Sequence, residues 1–250
     1  MLKESIKGPS GYEIPCMFSL HGESQILISA HGFGSCKTSA TSMLLHNTLP
    51  DSGIGVVSFD FPAHGESGVD GSRLRIANCL DDLGALEAEV LCREPAAEIV
   101  YFGSSFGAYI TALYLSLRGH KGNRAFFRSA AVTMPDLLLS TSHPVAEESI
   151  RENGWFMLAL PGSDRPLKIT REFLEDLRRH DLFSLYRSDT KLTMIHGDSD
   201  SVAPYSAAVR FAQMSGAQLI TVPGGEHNLA KPGQPQAMVS AVINFVSESE

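Results

Sequence analysis

The stretch Glu98-Ile99-Val100-Tyr101-Phe102-Gly103-Ser104-Ser105-Phe106-Gly107 decides the fold. Its first half is a run of β-forming residues, and Ala108 to Leu115 continues it in a helical pattern whose early positions are small. A serine with glycines two residues to either side, placed where a strand turns sharply into a helix, reads as a nucleophile elbow. The turn forces the serine into a strained backbone conformation, and the glycines let neighbouring backbones come close enough to hold it. Ser105 is therefore the predicted nucleophile.

Outward from the elbow, apolar runs alternate with helical patterns. Strands are predicted over Gln25–Ala30, Ile54–Asp60, Glu98–Phe102, Phe126–Thr133, Leu192–His196 and Gln218–Val222. Helices are predicted over Thr38–Leu49, Ala77–Cys92, from Ser105 onward, over Pro204–Ser215 and over Pro235–Ser247, and Tyr12–Leu20 reads as a short antiparallel hairpin. In Ala77–Cys92 the apolar positions Leu80, Leu83, Leu86, Val90 and Leu91 recur with helical period between carboxylates. Such alternation implies an α/β fold whose mostly parallel central sheet is covered by helices on both faces.

One interval breaks the rhythm. Between Thr133 and Leu192 the chain is far longer than a crossover helix requires, so residues from about 135 to 180 read as a lid insertion in a single domain spanning residues 1–250. Within it, Trp155–Leu160 and Pro166–Thr170 form a predicted hairpin around the turn Pro161-Gly162-Ser163-Asp164, followed by an amphipathic helix over Glu172–Arg179. An insertion after a central strand lies over the carboxyl edge of the sheet, where open α/β sheets bind ligands.

With 250 residues, 43% of them hydrophobic, the chain can bury one large core. The net charge of -8, without a basic stripe, argues against a nucleic-acid partner and against anionic lipid surfaces, leaving a small molecule as the expected partner. The first residues lack the apolar core of a signal peptide, and no apolar run approaches the length of a membrane span, so a cytoplasmic protein is expected. Cys16, Cys36, Cys79 and Cys92 are scattered without a CxxC pair; they read as free buried thiols, with Cys36 near the site, and neither a metal nor a disulfide framework is expected. The sequence leaves the oligomeric state open, a homodimer included.

A serine hydroxyl needs a base within hydrogen-bond reach and a third group to fix that base's tautomer. Two stretches at predicted strand ends offer them: His196-Gly197-Asp198-Ser199-Asp200, and Gly224-Gly225-Glu226-His227-Asn228. His227, in a glycine-flanked loop before the last helix, is the predicted base. Asp200, four residues before Pro204, is preferred as the acid, with Asp198 bracing the loop. The glycine-loosened loop His31-Gly32-Phe33-Gly34 after the first long strand supplies the Phe33 backbone N–H, which with the Phe106 N–H forms the predicted oxyanion-binding pair; His31 reads as a brace. Trp155, Phe156 and Met157 are the candidate substrate-pocket side chains, equally readable as core.

Together, His31-Gly32-Phe33-Gly34, Phe59-Asp60-Phe61-Pro62-Ala63-His64-Gly65-Glu66-Ser67, Gly103-Ser104-Ser105-Phe106-Gly107, His196-Gly197-Asp198-Ser199-Asp200 and Gly225-Glu226-His227 resemble the α/β-hydrolase superfamily. The resemblance is to the group with feruloyl (cinnamoyl) esterases, monoacylglycerol lipases and serine aminopeptidase-like hydrolases. It implies a cofactor-independent serine hydrolase of carboxylic esters acting through an acyl-enzyme, and a structural turn over Asp60–Ser67 in which His64 has no chemistry. The triad alone leaves open a peptidase, thioesterase or acyltransferase, and from another class a non-catalytic ligand-binding relative.

Overall fold

The computed structural model describes residues 1–140, 144–160, 163 and 165–248. The elements run β1 (Leu2–Lys7), β2 (Glu13–Ser19), β3 (Gln25–Ala30), α1 (Ala40–Thr48), β4 (Ile54–Phe59), α2 (Ile76–Arg93), β5 (Glu98–Ser104), α3 (Phe106–Leu117) and β6 (Arg124–Arg128). They continue as α4 (Met134–Ser140), α5 (Pro144–Asn153), β7 (Trp155–Leu158), β8 (Leu167–Thr170), α6 (Arg171–Arg179), α7 (Leu182–Leu185), β9 (Lys191–Gly197), α8 (Tyr205–Ser215), β10 (Gln218–Val222) and α9 (Gln234–Ser247). Eight strands form one sheet in the order β1-β2-β4-β3-β5-β6-β9-β10, antiparallel only where β2 meets β1 and β4.

β3, β4 and β5 are buried on both faces, which is why they read as continuous apolar runs without alternation. Leu27, Val56, Val100, Phe102, Phe126 and Ile195 point to one face, where α1 and α9 cover them with Leu45, Met238, Val242 and Phe245. Ile26, Ile28, Ile99, Tyr101, Phe127 and Met194 point to the other, against Leu80, Leu83 and Leu86 of α2, Ile110 and Leu113 of α3, and Phe211 of α8. Burial of this apolar surface on both faces is the main force holding the sheet and its covering helices together.

Three expectations are corrected. The amino-terminal hairpin is larger than Tyr12–Leu20: β1 pairs with β2 through a turn in which Gly11 has φ 81°. β1 is an edge strand with only Ile6 buried, so its sequence lacks an apolar face to announce it. The strand expected over Phe126–Thr133 is shifted, running from Arg124 to Arg128. Arg124 fits in it because its guanidinium donates to the Phe245 and Val246 carbonyls at the end of α9, and Ser129, at φ 47°, turns the chain out of the sheet. Of the cysteines, Cys16 and Cys79 are buried, Cys36 is half-buried and Cys92 is exposed.

Between β6 and β9 the chain forms α4 to α7 and the small β7–β8 sheet, antiparallel with Trp155 opposite Thr170. The expected turn residues Pro161, Gly162 and Asp164 lie outside the described residues. This segment is pinned to the main body by the Arg75–Asp176 ion pair, with bonds of 2.6 and 3.0 Å, and by the Tyr109 hydroxyl donating to the His180 carbonyl at 2.8 Å. No helix among the described residues is long and apolar enough to cross a membrane.

Candidate active site

Parallel pairing carries five loops to one edge of the sheet. Ala30 is opposite Gly103, Ser104 opposite Arg128, Arg128 opposite Ile195 and Thr221 opposite His196, so the loops after β3, β5, β6, β9 and β10 emerge side by side.

Ser105 stands between β5 and α3 with φ 54° and ψ -112°, a conformation costly to any residue with a side chain. The surroundings over-determine it. Its N–H donates to the Arg128 carbonyl at 2.9 Å, and its own carbonyl accepts from Ala131 and Ala108 at 3.2 and 3.1 Å. A methyl group at Gly107 would collide with the Ala30 and His31 carbonyls, and one at Gly103 with the backbone of Ala108. Those contacts are the physical reason for both glycines of the elbow.

The Ser105 Oγ lies 3.0 Å from His227 Nε2, and His227 Nδ1 lies 2.8 Å from Asp200 Oδ2. The structure thus brings the three predicted residues into one hydrogen-bonded chain. Asp200 Oδ1 accepts from the Val202 and Ala203 N–H groups at 2.8 Å each, while Oδ2 also faces His196 Nε2 at 3.2 Å. Burial pushes the Asp200 carboxyl up, but the hydrogen bonds from His196, His227 and the backbone outweigh it and hold the group well below the usual carboxylate range. Asp198 is exposed and braces the two loops, accepting from the Gly224 N–H at 2.7 Å and from the Ser199 hydroxyl at 3.1 Å. The loops approach so closely that a methyl at Gly197 would strike the Gly225 backbone.

The His31–Gly34 loop passes over the serine. A methyl built at Gly32 would sit 3.4 Å from Ser105 Cβ and 4.0 Å from its Oγ. Gly34 takes φ 75° at the third position of a turn closed by the Ser35 N–H donating to the Gly32 carbonyl at 3.1 Å, as a type II turn demands. His31 is buried and its tautomer follows from its partners: Nε2 accepts from the Phe61 N–H at 3.2 Å, so Nδ1 carries the proton and donates to the Gly32 carbonyl at 2.8 Å. Burial lowers its pKa and keeps it neutral, a fixed brace on the loop.

Phe106 opens α3, where the first N–H groups have no partner within the helix. Its ring is buried against Phe33, with centroids 5.2 Å apart, and Phe33 stacks on Phe173 of α6 at 6.0 Å. His64 is packed among Phe33, Phe61 and Phe106, its Nδ1 bonded to the Pro62 carbonyl at 2.9 Å and its pKa pulled down to about 3 by burial. The neighbouring Asp60 carboxylate holds the Lys37 ammonium at 2.8 Å and the Glu66 N–H at 2.9 Å, fixing the turn below the loop.

The three candidate pocket residues part company. Trp155 and Met157 are 39% and 52% exposed, on the outer face of the β7–β8 hairpin, whereas Phe156 alternates to the inner face and packs on the core. Leu160, not singled out from the sequence, rests its side chain on Gly34. Two further groups also escaped the sequence reading. His196 looked like the end of an apolar strand, and only its spacing of four from Asp200 could have marked it. Arg128 lies buried beside the elbow, with Nη1 donating to the Ser104 hydroxyl at 2.8 Å, its pKa pulled down to about 10 by burial against the opposing pull of the Asp200 charge. Among the described residues, no three His, Cys, Asp or Glu side chains are grouped to hold a metal ion.

An eight-stranded, mostly parallel sheet with its second strand reversed and a serine elbow after β5 defines an α/β-hydrolase. The chain belongs to the serine aminopeptidase, S33 family, whose model matches residues 22–172, and it is a hydrolase. That match includes the His31–Gly34 loop and Ser105 and ends before Asp200 and His227. No curated protein matches the chain. Solved structures extend the likeness over the whole fold: a putative hydrolase from Agrobacterium vitis S4 has TM-score 0.82 at 20% identity, covering 98% of this chain and 99% of the other. Est1E from Butyrivibrio proteoclasticus, solved with ferulic acid bound, has TM-score 0.80 at 17% identity over 98% and 100%. An esterase from Exiguobacterium antarcticum has TM-score 0.72 at 14% identity over 99% and 100%.

Proposed function

We propose that the chain is a carboxylic-ester hydrolase working through an acyl-enzyme on Ser105, with His227 as base and Asp200 as its orienting acid. The observation that carries this reading is the chain of bonds from Ser105 Oγ to His227 at 3.0 Å and on to Asp200 at 2.8 Å, mounted on a strained elbow. Asp200 lacks a proton, so His227 Nδ1 donates to it and Nε2 is left as the acceptor facing Ser105.

In the first half-reaction Oγ attacks the ester carbonyl carbon and its proton passes to Nε2. The carbonyl oxygen becomes an oxyanion, for which the Phe33 and Phe106 N–H groups are the donors. Collapse of the tetrahedral species breaks the bond to the alcohol oxygen, which takes the proton from Nε2. In the second, water attacks the acyl carbon, giving its proton to Nε2; collapse releases the acid, and Oγ recovers the proton.

Ester rather than amide chemistry is favoured by the esterase among the solved relatives, and an aromatic acyl group by the one holding ferulic acid. The β6–β9 segment acts in this reading as a lid, with Leu160 resting on the His31–Gly34 loop that passes over Ser105, and the reaction is carried out on small esters in the cytoplasm. The test is a substrate panel of p-nitrophenyl acetate, methyl ferulate, an acyl thioester and an aminoacyl p-nitroanilide. Hydrolysis of the esters at kcat/KM values well above the anilide supports the reading. Preference for the anilide would make the protein a peptidase, and no turnover of any of them by folded protein would leave a binding module.

A further inference from the structure

Asp200 Oδ2 is shared by two histidines, and only one of them reaches Ser105. His196, at the end of β9, is fully buried. Its Nε2 faces two acceptors at once, the Ala203 carbonyl at 2.9 Å and Asp200 Oδ2 at 3.2 Å. A carbonyl and an ionised carboxylate can only accept, so Nε2 must carry the hydrogen, and the ring is the Nε2–H tautomer. Its ring packs against Tyr205 at the start of α8, 6.1 Å between centroids, which fixes its plane. His227 Nδ1 binds the same oxygen at 2.8 Å.

Resting on the reading of Ser105, His227 and Asp200 given above, we propose that His196 is a positioning residue that divides the charge of Asp200 Oδ2 and thereby sets the basicity of His227. Two consequences follow from one bond. The carboxylate is held against rotation, since Oδ1 accepts two backbone N–H groups and Oδ2 lies 3.2 Å from the His196 Nε2–H, which is shared with the Ala203 carbonyl. The share of negative charge drawn by His196 is also withheld from the His227 imidazolium, which lowers the proton affinity of the base. The other charged groups around this pair are the buried Arg128 on β6, beside the Ser104 hydroxyl, and on the exposed loops Asp198 and the Glu226–Lys231 pair at 2.8 Å. The exposed groups are screened by solvent.

The test compares wild type, H196F and H196Q on p-nitrophenyl acetate across pH, with S105A alongside. Phenylalanine keeps the buried ring and removes the donor; glutamine keeps a donor N–H at similar reach. In H196F the acid limb of kcat/KM moves up by about half a pH unit or more, and kcat falls about tenfold, as expected for loss of a hydrogen bond to a charged group. H196Q restores the wild-type limb. A residue that merely supported the fold would lower the fraction of active enzyme and leave the limb in place, so an unmoved limb in folded H196F overturns the proposal. If H196F does not fold, the ¹⁵N resonances of wild-type His196 decide: a protonated Nε2 with a bare Nδ1 supports it, and the opposite tautomer overturns it. Activity retained by S105A would instead overturn the underlying site reading, whatever the limb does.

Discussion

Replacing Asp200 by asparagine should cost about four orders of magnitude in kcat, and the structure says why a change of one atom is so damaging. Oδ1 accepts two backbone N–H groups, from Val202 and Ala203, so an amide nitrogen cannot occupy that place without setting donor against donor. The amide oxygen must take the Oδ1 position, and the NH₂ then points at His227 Nδ1 and His196 Nε2. His227 can meet a donor only by accepting at Nδ1, which moves its hydrogen to Nε2, facing Ser105 Oγ. A base that already carries the proton cannot take another. Loss of the correct tautomer in a comparable triad costs about 10⁴-fold, or roughly 5.5 kcal/mol of barrier. Asp198→Asn is the matched control, because Asp198 is exposed and its carboxylate accepts from Gly224 and Ser199, away from His227; it should cost no more than about threefold, the scale of an exposed hydrogen bond. Initial rates on p-nitrophenyl acetate, with a thermal melt of each variant, check the pair. D200N keeping a tenth of wild-type kcat, or D198N falling as far as D200N, would refute the tautomer reasoning.

Two more outcomes follow from the packing. Leu160→Ala, by removing the side chain that rests on Gly34, should change the ratio of kcat/KM for an aromatic acyl ester to that for an acetyl ester by about tenfold, whereas Trp155→Ala, on the exposed face, should leave the ratio unchanged; equal shifts in both would place the acyl pocket elsewhere. Asp82, buried in α2 and bonded to the Tyr12 hydroxyl at 2.7 Å, has its pKa raised by burial to about 7 from 3.8, so the folded protein holds its proton where the unfolded chain has lost it. Stability from this group is full below pH 3.8 and is lost as pH rises to about 7, by on the order of 4 kcal/mol; Asp82→Asn should flatten the fall in melting temperature between pH 5 and pH 8, and parallel curves for the two proteins would contradict it.

How much of this was legible in the sequence depended on burial. β3 and β10 run over the residues expected of them, and β4, β5, α1, α2, α8 and α9 within a residue or two, because strands covered on both faces and helices with one apolar stripe leave strong patterns. β1 did not, since an edge strand of charged residues with one buried side chain has no such pattern. α4 and α5 were missed because α4, at seven residues, is too short for a helical period to show, and α5 is a largely polar segment with few apolar side chains. At the site, Ser105, His227 and Asp200 could be named because glycines and strand ends mark the loops they stand in. What no one-dimensional pattern held was which oxygen each donor reaches. Oδ1 serving two amides and Oδ2 facing two histidines is a fact of loop closure around Gly197 and Gly225, and from it comes the role proposed for His196.

The central claim is that Ser105 is an activated nucleophile, and covalent capture tests it without any assumption about substrate. Purified protein is treated with a fluorophosphonate probe and its intact mass is measured, followed by peptide mapping. The account predicts one adduct per chain, on Ser105, no adduct in folded S105A, and labelling of D200N slower than wild type by orders of magnitude. Stoichiometric labelling at another residue, or an unlabelled Ser105 in folded wild-type protein, would contradict it.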